Sequence, residues 1–431
     1  MKKNFVQELK WRGMLHDVMP GTEELLNKES VAGYIGFDPT ADSLHVGSLA
    51  QIMTLLHFQQ AGHKPIALVG GATGMIGDPS GKNEERKLLT LEELHHNETC
   101  IKKQLEKFLD FSSSNLAELV NNNDWFLGMK TIAFLRDVGK YLTVNYLLSK
   151  GFIKDRINQG QELSFTEFNY ILMQAYDFLW LYENKNCKLQ LGGSDQWGNI
   201  TAGAELIRKK IRGEAYGLTV PLITKSDGSK FGKTETGNIW LDANKTPVLE
   251  FKNFWLNASD EDIKTYFRIF SLRSKIEIEE LEIEHFKSTE KKILQKELAK
   301  EITIRVHSQQ EYDLTEGSVA LYSIKNVDEY KNIYGDESKM KILYSSGVTQ
   351  IDVDYSDIDA NYNLIDVLAK YPKIFGSKSE IRRLIEGGGI TINFEKIKDM
   401  NYKISTKDLI KPMNQLLVKK GKKEFLLLVY K

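Results

Sequence analysis

The chain is 431 residues long, enough for two or three domains, and its 41% hydrophobic and 10% aromatic content supports a sizeable core and excludes a disordered chain. The two cysteines, Cys100 and Cys187, exclude a disulfide framework and a cysteine zinc site, and no run nears the ~20 apolar residues that span a bilayer, so a cytoplasmic setting with no membrane partner is expected. The net charge of −1 hides an asymmetry: residues 361–431 carry 15 Lys and Arg against 7 Asp and Glu, a balance of +8 that leaves −9 on the preceding 360, the pattern of a basic nucleic-acid module on an acidic body.

The first residues, MKKNFVQELKWRGML, read as an amphipathic helix without a signal-peptide pattern. Val31 to Phe37 is a short apolar run closed by the turn Asp38-Pro39-Thr40, and predicts a strand. A helix is predicted from about Val46 to Ala61, with Leu49, Ile52, Met53 and Leu56 at helical spacing. Pro65 to Val69, ended by Gly70-Gly71, is the next strand. Strand, helix and strand at this spacing make a βαβ unit, hence an α/β fold on a parallel sheet with a right-handed crossover. Leu189 to Leu191, ended by Gly192-Gly193, is a later strand. Ligands of open parallel sheets sit at the carboxyl ends of strands. Beyond about Pro247 the pattern turns helical: Leu249 to Leu256, Asp260 to Phe270, and one long periodic stretch from Glu277 to Val306. Glu311 to Asp352 is polar and weakly periodic, a helix plus linker. In the basic tail, helices are predicted at Leu364 to Lys370 and Lys378 to Glu386, then a glycine turn at 387–389 and short strands starting with Ile390 to Asn393.

Two common phosphate fingerprints fail. Gly71-Ala72-Thr73-Gly74 does not fit the dinucleotide glycine pattern, and Gly81-Lys82-Asn83 lacks the hydroxyl residue and the first glycine of a P-loop. A different nucleotide site holds better. Thr40 to Ser48 connects strand to helix, and a helix start offers free N–H groups and a positive dipole end to a phosphate. His45 and Thr40 add donors, and Gly47 permits close approach. Taken alone, a capped helix with incidental polar residues fits as well. The second half is Lys230-Phe231-Gly232-Lys233-Thr234, where mobile cations could close over a triphosphate. In isolation such a stretch is a solvated basic loop. Tyr170, Gln174 and Asp177 share one helix face at i, i+4, i+7, a spacing that a solvated polar stripe would also show.

Together these motifs resemble the HIGH and KMSKS signatures of class I aminoacyl-tRNA synthetases. The stretch YIGFDPTADSLH (34–45) is similar to the bacterial tyrosyl-tRNA synthetases nearly letter for letter, as are GGATGMIGDP (70–79), LGGSDQWGNI (191–200) and 221–234. The resemblance covers essentially the whole chain. It implies a Rossmann-like parallel-sheet catalytic domain over 1–222, a lysine-loop and helical domain over 223–325, a linker over 326–360, and a small α+β S4-like RNA-binding domain over 361–431.

The resemblance also implies residue roles. Tyr34 and Asp177 would bond the phenolic hydroxyl of tyrosine; Tyr170 and Gln174 would hold its ammonium with Asp78 nearby; Gln196 would lie near its carboxylate. Gly36, Asp38, Gly47, Gly193, Asp195 and Lys233 are implied ATP contacts, with Gly193 and Asp195 at the ribose. Thr40, His45, Lys82, Arg86, Lys230, Lys233 and Thr234 would stabilise charge on the departing pyrophosphate, with no protein nucleophile. Lys82 and Arg86 lie in SGKNEERK, which by itself reads as a surface loop. The implied substrates are L-tyrosine, ATP with Mg²⁺, and tyrosine tRNA, with no metal held by the protein itself. Lys378, Arg382 and Arg383 would meet RNA, and the family precedent is a homodimer with residues 135–148 near the interface. No inserted domain that could edit separates the halves of the core. One departure stands out: the HIGH box ends in Ser48 rather than histidine, so no imidazole from that position reaches the nucleotide. A tryptophanyl enzyme, a noncatalytic RNA-binding scaffold and a nucleotidyltransferase remain rival readings. Tyr34 with Asp177 opposes the first, the intact lysines and His45 the second, and the basic tail the third.

Overall fold

The computed structural model describes residues 4–80, 89–112, 115–229, 231–234, 237–335, 343, 348–359, 362–412, 414–421 and 424–431. The chain divides into two units, Met1–His307 and Ser308–Lys431.

In the first unit the apolar runs form five parallel strands: β1 (Ala32–Phe37), β2 (Lys64–Val69), β3 (Glu118–Asn121), β4 (Cys187–Gly193) and β5 (Tyr216–Val220). Their order is β3-β2-β1-β4-β5. The chain leaves β1 first to one side and later to the other, so the sheet has a topological switch point between β1 and β4, where a crevice opens at the strands' carboxyl ends. Parallel strands are covered on both faces, which is why β2 reads as an unbroken apolar run from Pro65 to Val69.

The helix Val46–Gln60 buries nearly its whole surface. Its residues Leu49, Ile52, Met53 and Leu55 share a core with Ile35, Leu189 and Leu218 of the sheet. The helices Phe165–Lys185 and Trp197–Ile211 belong to a second core with Tyr34, Leu68 and Cys187. The first of these starts on a capping box, in which Ser164 and Glu167 satisfy each other's backbone N–H groups.

Four helices follow the lysine loop: Val248–Leu256, Asp260–Phe270, Lys275–Lys287 and Ile293–Val306. The stretch expected as one periodic helix from 277 to 306 is broken. Ser288 and Thr289 are weak helix formers, a single 3-10 turn spans Thr289–Lys291, and Lys292 takes a left-handed φ of 52°.

The second unit holds a mixed sheet ordered β10 (Glu395–Lys396), β9 (Ile390–Ile392), β11 (Gln415–Lys420), β12 (Glu424–Tyr430) and β8 (Thr349–Val353). The stretch 326–360, expected as a linker, instead supplies the helix Val327–Tyr334 and the strand β8, which pairs in parallel with β12. Tyr330 and Tyr334 pack there with Leu417 and Leu427. A five-residue strand that buries only Ile351 and Val353 leaves too little period to read from sequence. The helix Lys378–Glu386 buries Ile381 and Ile385 and leaves Lys378, Arg382 and Arg383 exposed.

Candidate active site

At the switch point lies a cavity of about 320 Å³. Tyr34, Gly36, Asp38, Thr40, His45, Gly47, Asp78, Tyr170, Gln174, Asp177, Gly193, Asp195 and Gln196 all line it, so residues scattered over 160 positions of sequence meet in one place. They arrive from the ends of β1 and β4, from the start of the helix after β1, from the loop after β2, and from one face of Phe165–Lys185.

The deep end brings together two buried polar groups, Tyr34 and Asp177. Asp177 is buried, and its carboxylate accepts Trp125 Nε1–H at 2.8 Å and Asn122 Nδ2–H at 3.2 Å. Burial pushes the Asp177 carboxyl well above the usual carboxylate range, the two hydrogen bonds pull it back, and Asp38 adds to the rise. Tyr34 is 1% exposed, tilted against Phe178 with ring centroids 5.5 Å apart. Burial, then the charge of Asp177, pushes its phenol well up, so it stays a neutral O–H donor. Its hydroxyl oxygen is buried without a hydrogen-bond partner among the described residues. A buried polar atom of that kind costs free energy until something pairs with it.

The middle of the cavity carries acceptors suited to an ammonium. Tyr170 Oη donates to Asp38 Oδ2 at 2.8 Å, and Thr73 Oγ1 donates to Asp38 Oδ1 at 2.8 Å. The hydroxyl of Tyr170 thereby turns its lone pairs away from Asp38. Asn199 Nδ2 donates to Gln174 Oε1 at 2.8 Å and fixes which end of that amide is the acceptor. Gln196 Nε2 donates to Asp78 Oδ2 at 2.8 Å, and Gln174 Nε2 donates to Gln196 Oε1 at 3.1 Å. Burial and then the charge of Asp78 raise the Asp195 carboxyl above its ordinary value.

The outer end suits a nucleotide. His45 caps the helix Val46–Gln60, and its Nδ1 accepts the Gly47 N–H at 3.0 Å. The imidazole proton therefore sits on Nε2, which becomes a donor. A Cβ at residue 47 would lie 2.7 Å from His45 Cε1, so only glycine lets the ring fold back over the helix start. At Gly193 a Cβ would meet Asp195 Oδ1 at 2.5 Å and Leu222 at 3.1 Å, so a side chain there would fill the space beside the carboxylate. Phe231 anchors the lysine loop in an aromatic nest of Phe254, Trp255, Tyr266 and Phe270. Lys233 is exposed on the short hairpin of β6 (Lys233–Thr234) and β7 (Gly237–Asn238).

The chain is similar to known proteins along nearly its whole length. A family described as class I tRNA synthetases (W and Y) matches residues 26–321, and a tyrosine–tRNA ligase SYY-like C-terminal domain matches residues 345–428. A tyrosine–tRNA ligase of Bacteroides fragilis is 52% identical over 99% of this chain and 100% of its own length. The chain belongs to the tyrosine–tRNA ligases of class I. A tyrosine–tRNA ligase of Porphyromonas gingivalis is 50% identical over 99% of both chains. Among solved structures, a C-terminally truncated Aspergillus nidulans mitochondrial tyrosyl-tRNA synthetase matches with a TM-score of 0.66 and 30% identity, over 73% of this chain and 92% of that one.

Some expected positions in this synthetase lie elsewhere. Lys82, Arg86 and Lys230 are outside the described residues, and Lys233 does not line the cavity. Thr234 lies in β6 beside Lys233. Lys378, Arg382 and Arg383 belong to the second unit, where Lys378 Nζ bonds Asp366 Oδ1 at 2.6 Å and the two arginines are exposed. Sequence reasoning missed Asn122 and Trp125, which orient Asp177, and Asn199, which orients Gln174. Asn122 and Trp125 follow the carboxyl end of β3, so recognising that strand would have pointed to them. It is four residues long and buries none of them, which gives no apolar run to read.

Proposed function

We propose that this synthetase activates L-tyrosine with ATP and then passes the tyrosyl group to the 3′-terminal adenosine of its tRNA. The observation that carries the choice of amino acid is the buried pair at the cavity's deep end: a Tyr34 hydroxyl with no hydrogen-bond partner among the described residues, and an oriented Asp177 carboxylate. Asp177 would accept the phenolic O–H of tyrosine, and Tyr34 would donate to the phenolic oxygen. An indole N–H could reach Asp177 but offers no acceptor to the Tyr34 hydroxyl, and phenylalanine offers nothing to either group.

In this reading the substrate ammonium sits among Tyr170 Oη, Gln174 Oε1 and Asp78, with Gln196 near the carboxylate. Gly193 and Asp195 take the ATP ribose, and Gly36, Asp38 and Gly47 flank the phosphates. The tyrosine carboxylate oxygen attacks the α-phosphorus, a new P–O bond forms, and the bond to the β-phosphate bridging oxygen breaks to release pyrophosphate. Thr40, His45, Lys82, Arg86, Lys230, Lys233 and Thr234 stabilise the charge that collects on that leaving group. Mg²⁺ enters as the counter-ion of ATP. A ribose hydroxyl of the tRNA then attacks the mixed anhydride and AMP leaves.

The basic tail, with Arg382 and Arg383 exposed, supports RNA binding by residues 361–431 through phosphate and shape. Exposed Leu127, Ile132, Leu135, Val144 and Leu148 fall in or near the segment expected at a dimer interface and support self-association in the cytoplasm as a homodimer. The test is pyrophosphate exchange into ATP with tyrosine, tryptophan and phenylalanine offered separately. Tyrosine alone should support exchange; equal exchange with tryptophan would refute the assignment.

A further inference from the structure

Gly237 to Lys245 joins the two halves of the nucleotide site. On one side its backbone pairs with the lysine loop: Lys233 pairs with Asn238, and Ile239 N–H donates to the Gly232 carbonyl at 3.0 Å. On the other side it pairs with the stretch that leads into the helix Val46–Gln60. Val46 N–H donates to the Ile239 carbonyl at 3.0 Å, and Leu241 N–H donates to the Leu44 carbonyl at 2.8 Å. This bridge sets His45 directly opposite Trp240.

The side chains continue the connection. The Trp240 indole meets the His45 imidazole edge to face, with centroids 6.0 Å apart and planes at 70°. Lys245 Nζ lies 5.1 Å from the centroid of the same indole and bonds Asp42 Oδ1 at 2.5 Å. Trp240 N–H donates to Thr246 Oγ1 at 2.9 Å, which fixes the backbone beneath the ring. His45 lines the cavity, and Trp240 does not. The bond from Gly47 N–H to Nδ1 fixes one corner of the imidazole. The aromatic edge contact with Trp240 adds a second support to the face of the ring.

We propose that Trp240 is a positioning residue for the first step: it holds the His45 imidazole so that the Nε2 donor stays over the phosphate end of the cavity. This rests on the reading of His45 as a donor to the departing pyrophosphate. The same strand also bonds the lysine loop, so the aim of the imidazole and the seating of that loop share one support. Neither the family matches nor the sequence motifs assign Trp240 any role.

The test is a double-mutant cycle in tyrosine-dependent pyrophosphate exchange with the full-length enzyme. Trp240→Leu should lower kcat, by up to about 10²-fold given what a misplaced catalytic group costs, while KM for tyrosine stays within about 2-fold. Trp240→Phe, which keeps a ring edge, should restore most of the rate. In a His45→Ala background, Trp240→Leu should cost under about 3-fold more, because the group it positions is gone. Should the leucine variant lose its fold by circular dichroism, Trp240→Met, which keeps the apolar bulk without the ring, takes its place in the cycle. Equal losses with and without His45, or a KM for tyrosine that rises as kcat falls, would overturn the proposal. A wild-type enzyme with no tyrosine-dependent exchange would instead sink the functional reading beneath it.

Discussion

Replacing Tyr34 by phenylalanine separates recognition from stability. The ring remains, so its packing against Phe178 is kept. The hydroxyl has no hydrogen-bond partner among the described residues, so its removal breaks no internal bond there. The thermal midpoint of the free enzyme should therefore move by no more than about 2 °C, as for a change within ±0.5 kcal/mol. Bound tyrosine loses one neutral hydrogen bond, worth roughly 0.5–1.5 kcal/mol, which is a factor of about 2–12 in kcat/KM. Phenylalanine loses nothing, since it never met that hydroxyl. The ratio of kcat/KM for tyrosine over phenylalanine should fall by at least that factor, read by pyrophosphate exchange beside a melting curve. A midpoint several degrees lower with an unchanged ratio would refute the reasoning, because the hydroxyl would then be a structural group rather than a recognition group.

Lys233→Ala should slow adenylate formation far more than it weakens tyrosine binding, since the role proposed for Lys233 is on the departing pyrophosphate; comparable losses in single-turnover rate and tyrosine affinity would contradict a transition-state role. Arg382→Ala with Arg383→Ala should leave pyrophosphate exchange intact and weaken tRNA binding, with a shallower dependence of affinity on salt, by about one unit of slope per lost phosphate contact. His307 gives a pH prediction. Burial, then the charge of Lys107, lowers its imidazole from 6.5 to about 4, so between those values the unfolded chain binds more protons than the folded one. Stability must then fall as pH drops from 6.5 toward 4, by up to about 2 kcal/mol at pH 5, and fall no further from this group below 4. His307→Gln should shrink the gap between melting temperatures at pH 7 and pH 5; an unchanged gap would show that the imidazole is not the source.

The fold was legible where burial leaves a strong pattern. β1, β2 and the helix Val46–Gln60 read correctly to within a residue or so because they sit in the doubly covered part of the sheet. β3 and β8 did not, because short strands that bury few side chains carry no apolar signature. The break at residues 288–292 was hidden because no proline or glycine marks it. At the site, the residues named in the sequence motifs were visible and their supports were not. Asp177 could be placed on a helix face, but Trp125 and Asn122 reach it from 52 and 55 positions away, a closeness only the folded sheet creates. Trp240 was silent for the same reason: its partner His45 lies nearly 200 residues earlier and meets it only through a strand bridge.

The central claim is that two buried oxygens at the end of one cavity select an aromatic alcohol. A crystal structure of this enzyme with L-tyrosine bound measures it directly. The account predicts the phenolic oxygen within about 3.2 Å of both Tyr34 Oη and an Asp177 carboxylate oxygen, normal hydrogen-bond lengths. A tyrosine seated with its hydroxyl in solvent, or more than about 4 Å from either residue, would contradict it.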